Sequence, residues 1–404
     1  VPKVKQTRTG CVIAGGGPAG LMAGYLLARQ GVDVTVLEKH GDFLRDFRGD
    51  TIHPSTLELM QELGVLDRFL KLPHQKVRQI SVFFGEEEVP IGDFSHLPVT
   101  CPYIAMMPQW DFLDFIAGEA GKLPTFTLLM NAKASDLILQ GERVAGVRVE
   151  TRDEDLEIRA DLVVAADGRH STLRDAAGFV PDELGAPMDV LWMRLPRRES
   201  DPDEAFGRVS GRHMLVMINR GDYWQCAWLI DKGGFEAVRE QGIGALRAAI
   251  AETAPFVADR TGALRDFGDV SLLTVAVNRL KTWHRQGFLC IGDAAHAMSP
   301  VGGVGVNLAI QDAVATANLL AKPLKEGYVG NGDLAAVQGR RLFPTVVTQK
   351  LQVFLQNRML GRVLSSGAPV HPPAVMRLLQ EFATLRRLPA RIVGMGIRPE
   401  HIQV

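Results

Sequence analysis

The stretch Cys11-Val12-Ile13-Ala14-Gly15-Gly16-Gly17-Pro18-Ala19-Gly20 decides the fold. Four apolar residues suited to a buried parallel strand run into a glycine turn, and Leu21 to Arg29 follows with helical spacing. Strand, glycine turn and helix are the context of a dinucleotide fingerprint. Gly15 serves the tight turn, Gly17 lets the backbone approach a pyrophosphate, and Gly20 lets helix and strand pack closely. The helix N-terminus presents free N–H groups and a positive dipole end to the phosphates. A second apolar strand, Val32 to Leu37, ends in Glu38. That is the expected distance of about 20 residues for an acid that binds ribose hydroxyls. Gly15, Gly17, Ala19, Gly20, Glu38 and the adjoining Lys39 are therefore candidate cofactor-binding residues. The fingerprint alone fits NAD or FAD.

At 404 residues and 46% hydrophobic content the chain can bury a large core, and two domains with a helical appendage are expected. A formal net charge of −1 offers no broad attraction for nucleic acid or anionic membranes, so neither is expected as a partner. Cys11, Cys101, Cys226 and Cys290 lie far apart, which argues against a zinc cluster or disulfide framework. A reducing, cytoplasmic setting fits them. No charged and apolar leader pattern opens the sequence, and no run of about 18 apolar residues suggests a transmembrane segment.

Strand and helix signals alternate through residue 75, with a helix from Ser55 to Leu63, where Ser55 and Glu58 have the spacing of a capping box. The texture then changes. Val77 to Gly85 and Val89 to Phe94 read as strands of another sheet. A helix from Trp110 to Gly121 precedes strands at Thr125–Met130, Ala134–Gln140, Arg143–Thr151 and Leu156–Arg159, with a hairpin turn at Gly141. The chain returns to the parallel sheet at Ala160 to Asp167-Gly168. A second strand-rich block covers Met188–Pro196 and His213–Ile230, followed by helical spacing at Gly234–Glu240 and Ile243–Thr253. Residues 1–75, 101–185 and 269–330 are expected to form one domain. Residues 76–100 and 186–268 would form a sheet domain, and 331–404 C-terminal helices.

Two further motifs complete the first. They are Asp167-Gly168-x-x-Ser171-x-x-Arg174 and Gly292-Asp293-x-x-His296-x-x-x-Pro300-x-Gly302-Gly303-x-Gly305-x-Asn307. With Arg48 and Gln109, and in this order, the set resembles the class A FAD-dependent monooxygenases, the p-hydroxybenzoate hydroxylase-like aromatic hydroxylase family. The likeness runs from about residue 10 to about residue 320. It implies an α/β fold in which a Rossmann-type FAD-binding domain is interrupted by a β-sheet substrate domain, with a C-terminal helical segment. It also implies one non-covalent FAD, NADH or NADPH as a transient co-substrate, and O2. Oxygen would pass from a flavin C4a-hydroperoxide to a small aromatic substrate.

By the same resemblance Pro300 lies beside the reactive flavin carbon, and backbone N–H groups from Gly303 through Gly305 and Val306 to Asn307 hold a ring carbonyl. Pro300 and Gly303 are thus catalytic candidates as a flavin-positioning loop; no side-chain acid or base is assigned. The helix beginning near Val306 would turn its positive end to the ring edge that gains charge on reduction. Asp293 can accept from a ribityl hydroxyl or cap the following turn. Asn307 is either a cofactor contact or a polar residue of the helix N-terminus. Arg48 and Gln109 are cofactor contacts or ordinary surface residues, and Arg174 meets a nucleotide phosphate or only Asp175. Asp167 ends a buried strand at the cofactor. His296 is read as structural, no metal site is expected, and His53, His213 and His284 carry no assignment.

Period-two alternation puts Val190, Trp192 and Arg194 on one strand face. Leu215-Met217 and Gln225-Ala227, or Trp224-Cys226-Trp228, would line the same space. Trp192, Arg194, Met217 and Gln225 are the substrate candidates, with Arg194 either anchoring a carboxylate or facing solvent. The apolar stripe Leu342, Val346, Leu351, Phe354, Leu355 and Met359 is expected to pack on the FAD domain, a dimer face and a membrane surface being the other readings. The protein would be a monomer or homodimer. A reductase or halogenase on the same fold, and a non-catalytic FAD-binding interaction protein, are the rival readings.

Overall fold

A computed structural model describes residues 5–44, 51–211, 213–357, 372 and 374–403. The strand β1 (Lys5–Ala14) turns at the glycines into α1 (Pro18–Arg29) and returns as β2 (Val34–Glu38). β1 begins earlier than its apolar run. Lys5–Arg8 are exposed, but they pair with Leu156–Arg159 of an equally long partner, a signal the local sequence does not carry. After α2 (Pro54–Glu62) come the hairpin β3 (Gln79–Phe84) and β4 (Glu87–Asp93), then α3 (Gln109–Ala120) and β5 (Phe126–Met130). The hairpin β6 (Lys133–Gln140) and β7 (Arg143–Glu150) leads into β8 (Leu156–Ala165), one continuous strand where a break at Arg159 was expected.

The helix α2 corrects the capping-box expectation. Pro54 takes the first helical position, where a missing N–H costs nothing, and this moves the N-cap back to His53. Glu58 instead accepts from the Thr100 N–H at 2.8 Å.

The chain goes on through α4 (Thr172–Ala176) to β9 (Met188–Pro196), β10 (Phe206–Ser210), β11 (His213–Asn219), β12 (Tyr223–Asp231), α5 (Ile243–Thr253) and β13 (Ser271–Leu273). It closes with β14 (Phe288–Cys290), α6 (Val304–Lys325), α7 (Asn331–Leu355), α8 (Ala374–Glu381) and α9 (Arg387–Met395). The first sheet has the parallel order β14-β8-β1-β2-β5, with β7 and β6 added antiparallel beside β8. The second is seven-stranded, in the order β13-β9-β12-β11-β10-β3-β4. Its strand β10 was not read from the sequence. Lying parallel to β3, it joins the two strand-rich blocks.

The two faces of the second sheet differ in what covers them. Leu191, Met193, Leu195, Leu215, Met217, Trp224, Cys226 and Trp228 pack on Leu246 and Ile250 of α5 and on Val257. The other face carries Val190, Trp192, Val216, Ala227 and Leu229, with Val301 against it. The helix α9 adds Val393 and Met395 beside Trp192, Val216 and Ile218.

Behind the sheet Asp201 accepts from Arg260 Nη1 at 2.6 Å, Arg260 Nη2 at 3.0 Å and the Trp224 indole N–H at 2.9 Å. Burial alone would raise its pKa, but these donors outweigh burial and hold it at about 2. A depressed carboxylate contributes stability above its unfolded pKa and loses it as pH falls through the folded one. Acid should therefore cost the protein about 2 kcal/mol between roughly pH 4 and pH 2. Asp201→Asn should lose that amount at neutral pH and lose its acid sensitivity in this window, as followed by denaturant titration of tryptophan fluorescence. An unchanged acid slope in the variant would contradict the assignment.

One helix among the described residues, Val301–Lys325, is by length and composition apolar enough to cross a membrane. Its alanines and valines raise the hydropathy, and 72% of its apolar window is buried inside the protein. Ala309, Ile310, Ala313, Val314 and Ala317 share the core of the first sheet with α1.

The helix α7 also departs from expectation. It buries Arg341, Thr345, Gln349 and Gln352 along with Leu334 and Val337. Phe354 is 54% exposed and Leu342, Val346, Leu351 and Leu355 are only half-buried, whereas Met359 lies outside the described residues. The docking face of this helix is mainly polar because it meets backbone carbonyls, described below.

Candidate functional site, a dinucleotide and flavin groove

The three motifs meet at one groove. Gly15 has φ +106°, and a Cβ on it would lie 2.3 Å from the Ala166 carbonyl oxygen, so the first motif abuts the second with no room for a side chain. Gly16 N–H donates to Glu38 Oε2 at 3.0 Å. Glu38 Oε1 accepts from the His40 N–H, also at 3.0 Å. A Cβ on Gly20 would lie 1.9 Å from the Gly15 oxygen, whereas one on Gly17 would meet nothing within 4 Å. The glycine loop is thus packed underneath and open where a pyrophosphate would approach. The N-terminus of α1 has no acidic residue in its first turn and no side-chain cap, leaving N–H groups for a ligand.

The third motif joins from the other side. A Cβ on Gly292 would lie 3.1 Å from Ala19 Cβ and 3.2 Å from Ala309 Cβ, which puts the first motif, the third motif and α6 in contact. Asp293 is about one-third exposed, and its carboxylate faces Arg169 Nη2 of the second motif at 3.7 Å. Asp167 Oδ2 accepts from the Leu173 N–H at 3.3 Å at the start of α4. Burial raises the Asp167 pKa, offset only in part by Ser171 and the nearby backbone N–H groups. Its Oδ1 is buried with no partner among the described residues. Arg174 donates to the Arg169 carbonyl at 3.1 Å and to Asp175 at 3.1 Å, so it braces this turn.

Pro300 opens the turn Val301–Gly303, and Gly303 caps α6 in the left-handed region, at φ +61°. A Cβ there would lie 2.4 Å from Thr51 Oγ1, which donates to the Gly303 carbonyl at 2.9 Å. Val304, Gly305 and Val306 form the first turn of α6, whose N–H groups lack helical partners. Asn307 is buried, and both ends of its amide are engaged within the protein. Oδ1 accepts from the His53 N–H at 2.9 Å and Thr56 Oγ1 at 2.8 Å, while Nδ2 donates to the Thr51 carbonyl at 3.1 Å and the Gly303 carbonyl at 3.3 Å. Its side chain therefore holds the loop and does not itself offer a free donor to a flavin.

Two devices behind the loop escaped the sequence reading. His296 Nε2 lies 2.6 Å from Asp312 Oδ2, and Arg341 Nε donates to Asp312 Oδ1 at 2.9 Å, all three side chains fully buried. Asp312 also accepts from the Gly292 N–H at 3.0 Å. Burial pushes the Asp312 pKa up, yet His296 and Arg341 outweigh it and hold it below the usual value. The second device is on α7. Gln352 Nε2 donates to the carbonyls of Ser299 at 3.0 Å and Val301 at 2.8 Å, and its Oε1 accepts from the Ser299 N–H at 3.3 Å. Gln349 donates to the Ala297 carbonyl at 3.0 Å, and Gln356 donates to Ser299 Oγ. Arg341, Thr345, Gln349, Gln352 and Gln356 recur at three- and four-residue spacing, a polar stripe that could have been read as a helix clamping backbone.

Gln352→Leu keeps the volume but strands two carbonyls and an N–H. It should lower the unfolding free energy by about 2 kcal/mol and loosen the Pro300 loop. Calorimetry and hydrogen exchange of the loop amides would both register the change. Unaltered values for both would show that the clamp is idle.

The remaining candidates divide. Gln109 starts α3 half-buried, with a side chain that makes no hydrogen bond to described residues, and Lys39 is exposed beside Glu38. Arg48 lies outside the described residues. Trp192 and Gln225 share the loop-facing side of the second sheet; Gln225 accepts from Arg220 at 3.1 Å. Arg194, on the same side, is exposed with its guanidinium 5.0 Å from the Tyr223 ring centre. Met217 is a correction. Its register opposite Cys226 points it at the α5 face, where it is fully buried in the core and away from the loop.

Glycines cleared for a pyrophosphate, an acid at the second strand end, an orphaned Asp167 oxygen and a left-handed loop capping α6 fit an FAD. These features define a flavin-binding protein of the two-sheet type. The chain belongs to the FAD binding domain family, matched over residues 8–349, and within it to the class A FAD-dependent aromatic monooxygenases. It is 33% identical to a 6-methylpretetramide 4-monooxygenase of Streptomyces rimosus, over 96% of this chain and 93% of that protein. It is 27% identical to a rifampicin monooxygenase of Rhodococcus hoagii, over 96% of this chain and 78% of that one. The fold is also that of p-nitrophenol 4-monooxygenase PnpA from Pseudomonas putida, with TM-score 0.74, 20% identity, and coverage of 95% and 94% of the two chains.

Proposed function

We propose that the protein hydroxylates an apolar aromatic or phenolic small molecule. The balanced reaction converts an aromatic C–H, O2, NADH or NADPH and a proton into a phenolic C–OH, NAD+ or NADP+ and water. FAD, when bound, supplies the hydride acceptor and the activation of oxygen.

The observation that carries this reading is an apolar patch on one face of the second sheet, Val190, Trp192, Val216 and Ala227, packed with Val301 of the flavin loop. The protein holds the substrate ring there by apolar contact and keeps water from the reacting atoms. The Gln352 clamp and the Asn307 amide fix the loop, so the open ring face has one orientation. In this reading the first sheet with α6 is the FAD-binding domain, the second sheet the substrate domain, and the helices from residue 331 onward brace the loop.

The test is a screen of polycyclic phenols with the FAD-loaded protein. It reads stimulated NADH and NADPH oxidation, peroxide release, and product mass under heavy oxygen gas. A product bearing one oxygen from the gas supports hydroxylation. Stimulated nicotinamide oxidation with all oxygen released as peroxide, or a product changed only by hydrogen or halide, would replace it with the reductase or halogenase reading.

A further inference from the structure

His53 is fully buried at the N-cap of α2. Its Nδ1 lies 2.7 Å from the Val393 carbonyl of α9. A carbonyl only accepts, so Nδ1 carries the proton and Nε2 is left as a lone-pair acceptor. Burial lowers the imidazole pKa to about 4, with the Val393 carbonyl offsetting part of the shift, so the ring is neutral at physiological pH. Nε2 is buried with no hydrogen-bond partner among the described residues.

The surroundings set this ring between the flavin loop and α9. The His53 backbone N–H is held by Asn307, which also holds Gly303. Val393 lies 3.9 Å from the Cβ position of Gly302 and packs with Trp192, Val216 and Ile218 of the substrate face. The imidazole therefore stands where the flavin loop, α2 and α9 close on that face. A buried acceptor of fixed tautomer, tied on its other side, is a cost to the folded protein unless a ligand supplies a donor.

We propose that His53 Nε2 is a specificity determinant of the chamber, accepting a hydrogen bond from a hydroxyl of the aromatic substrate and so fixing the ring beside the Pro300 loop. A weakly basic imidazole orients that hydroxyl without removing its proton. The inference rests on the hydroxylase reading of the chamber, but its test is equilibrium binding. A protein that selects hydroxyls through His53 yet never inserts oxygen would overturn only the function.

Two variants separate the two ends of the ring. Asparagine can reproduce the Nδ1–H donor to Val393 and has nothing at Nε2; glutamine can place its Oε1 near Nε2 and gives up the Nδ1 bond. The FAD-loaded protein, His53→Asn and His53→Gln are titrated with 1-naphthol against 1-methoxynaphthalene. The same is done with 1,8-dihydroxyanthraquinone against its dimethyl ether, read by perturbation of flavin absorbance. The native protein should favour the hydroxyl member by about tenfold in at least one pair, a hydrogen bond's worth of affinity. His53→Asn should bring the ratio to about one with FAD still bound, and His53→Gln should restore most of it. A native ratio near one, no binding by either hydroxyl compound, or an unchanged ratio in His53→Asn overturns the proposal. Should His53→Asn fail to fold, loss of the ratio in His53→Gln overturns it as well.

Discussion

Gly20→Val should give a protein that neither retains FAD nor folds to normal stability. The added Cβ would sit 1.9 Å from the Gly15 carbonyl oxygen, a backbone atom, with no flexible side chain to yield. Moving α1 off β1 would disturb the first sheet at its centre, at a cost of about 3 kcal/mol. Gly17→Ala is the informative partner. Gly17 has an ordinary extended backbone, φ −79°, and nothing lies within 4 Å of the added methyl, so folding should be unaffected. If the empty space is where the pyrophosphate lies close to the backbone, FAD affinity should still fall by about tenfold or more. Thermal unfolding of the FAD-free protein, together with fluorescence titration of FAD, distinguishes the two. Equal FAD affinity in Gly17→Ala and the native chain would move the phosphates elsewhere.

Asp312→Asn should be the most damaging substitution away from the groove. It leaves Arg341 and His296, both fully buried, without the carboxylate that pairs with them, and removing one partner of a buried ion pair costs about 3–5 kcal/mol. Glu400 offsets part of this through Arg341 at 3.3 Å, so the lower end is expected. Because the Asp312 pKa is depressed in the folded state, its contribution is complete at neutral pH and is lost only in acid, below the usual carboxylate range. Denaturant unfolding of Asp312→Asn at neutral pH should give this deficit. A deficit under about 1 kcal/mol would mean that the network is not what holds Gly292 to α6.

What the sequence disclosed, and what it withheld, follows the range of the interactions. The groove was legible because each of its pieces is local: the glycines, Glu38 at a strand end, Asp167 and Asp293 at two others, and Gly303 before a helix. The second sheet's faces were half legible. Alternation in β9 set Trp192 with Val190 and Arg194, but the register of β11 against β12 puts Met217 on the opposite side, and register belongs to pairing rather than to either strand alone. β10 was missed because its short run, Phe206–Ser210, includes Gly207 and Arg208 and is stabilised by β3, far away in sequence. The helix α7 differs from its sequence pattern for a different reason. Its apolar stripe suggests one buried face, whereas the polar stripe through Gln349 and Gln352 is buried because unpaired carbonyls of the loop need donors. His53 conveyed nothing in isolation. Its meaning comes from Val393, 340 residues onward.

The most direct measurement is FAD binding by the purified chain, quantified by absorbance and by fluorescence titration of the stripped protein. The purified protein should be yellow with one FAD per chain, and the complex should be weakened in Glu38→Gln and in Asp293→Asn. A colourless chain that binds no FAD when it is supplied, or one whose affinity ignores both substitutions, would contradict it.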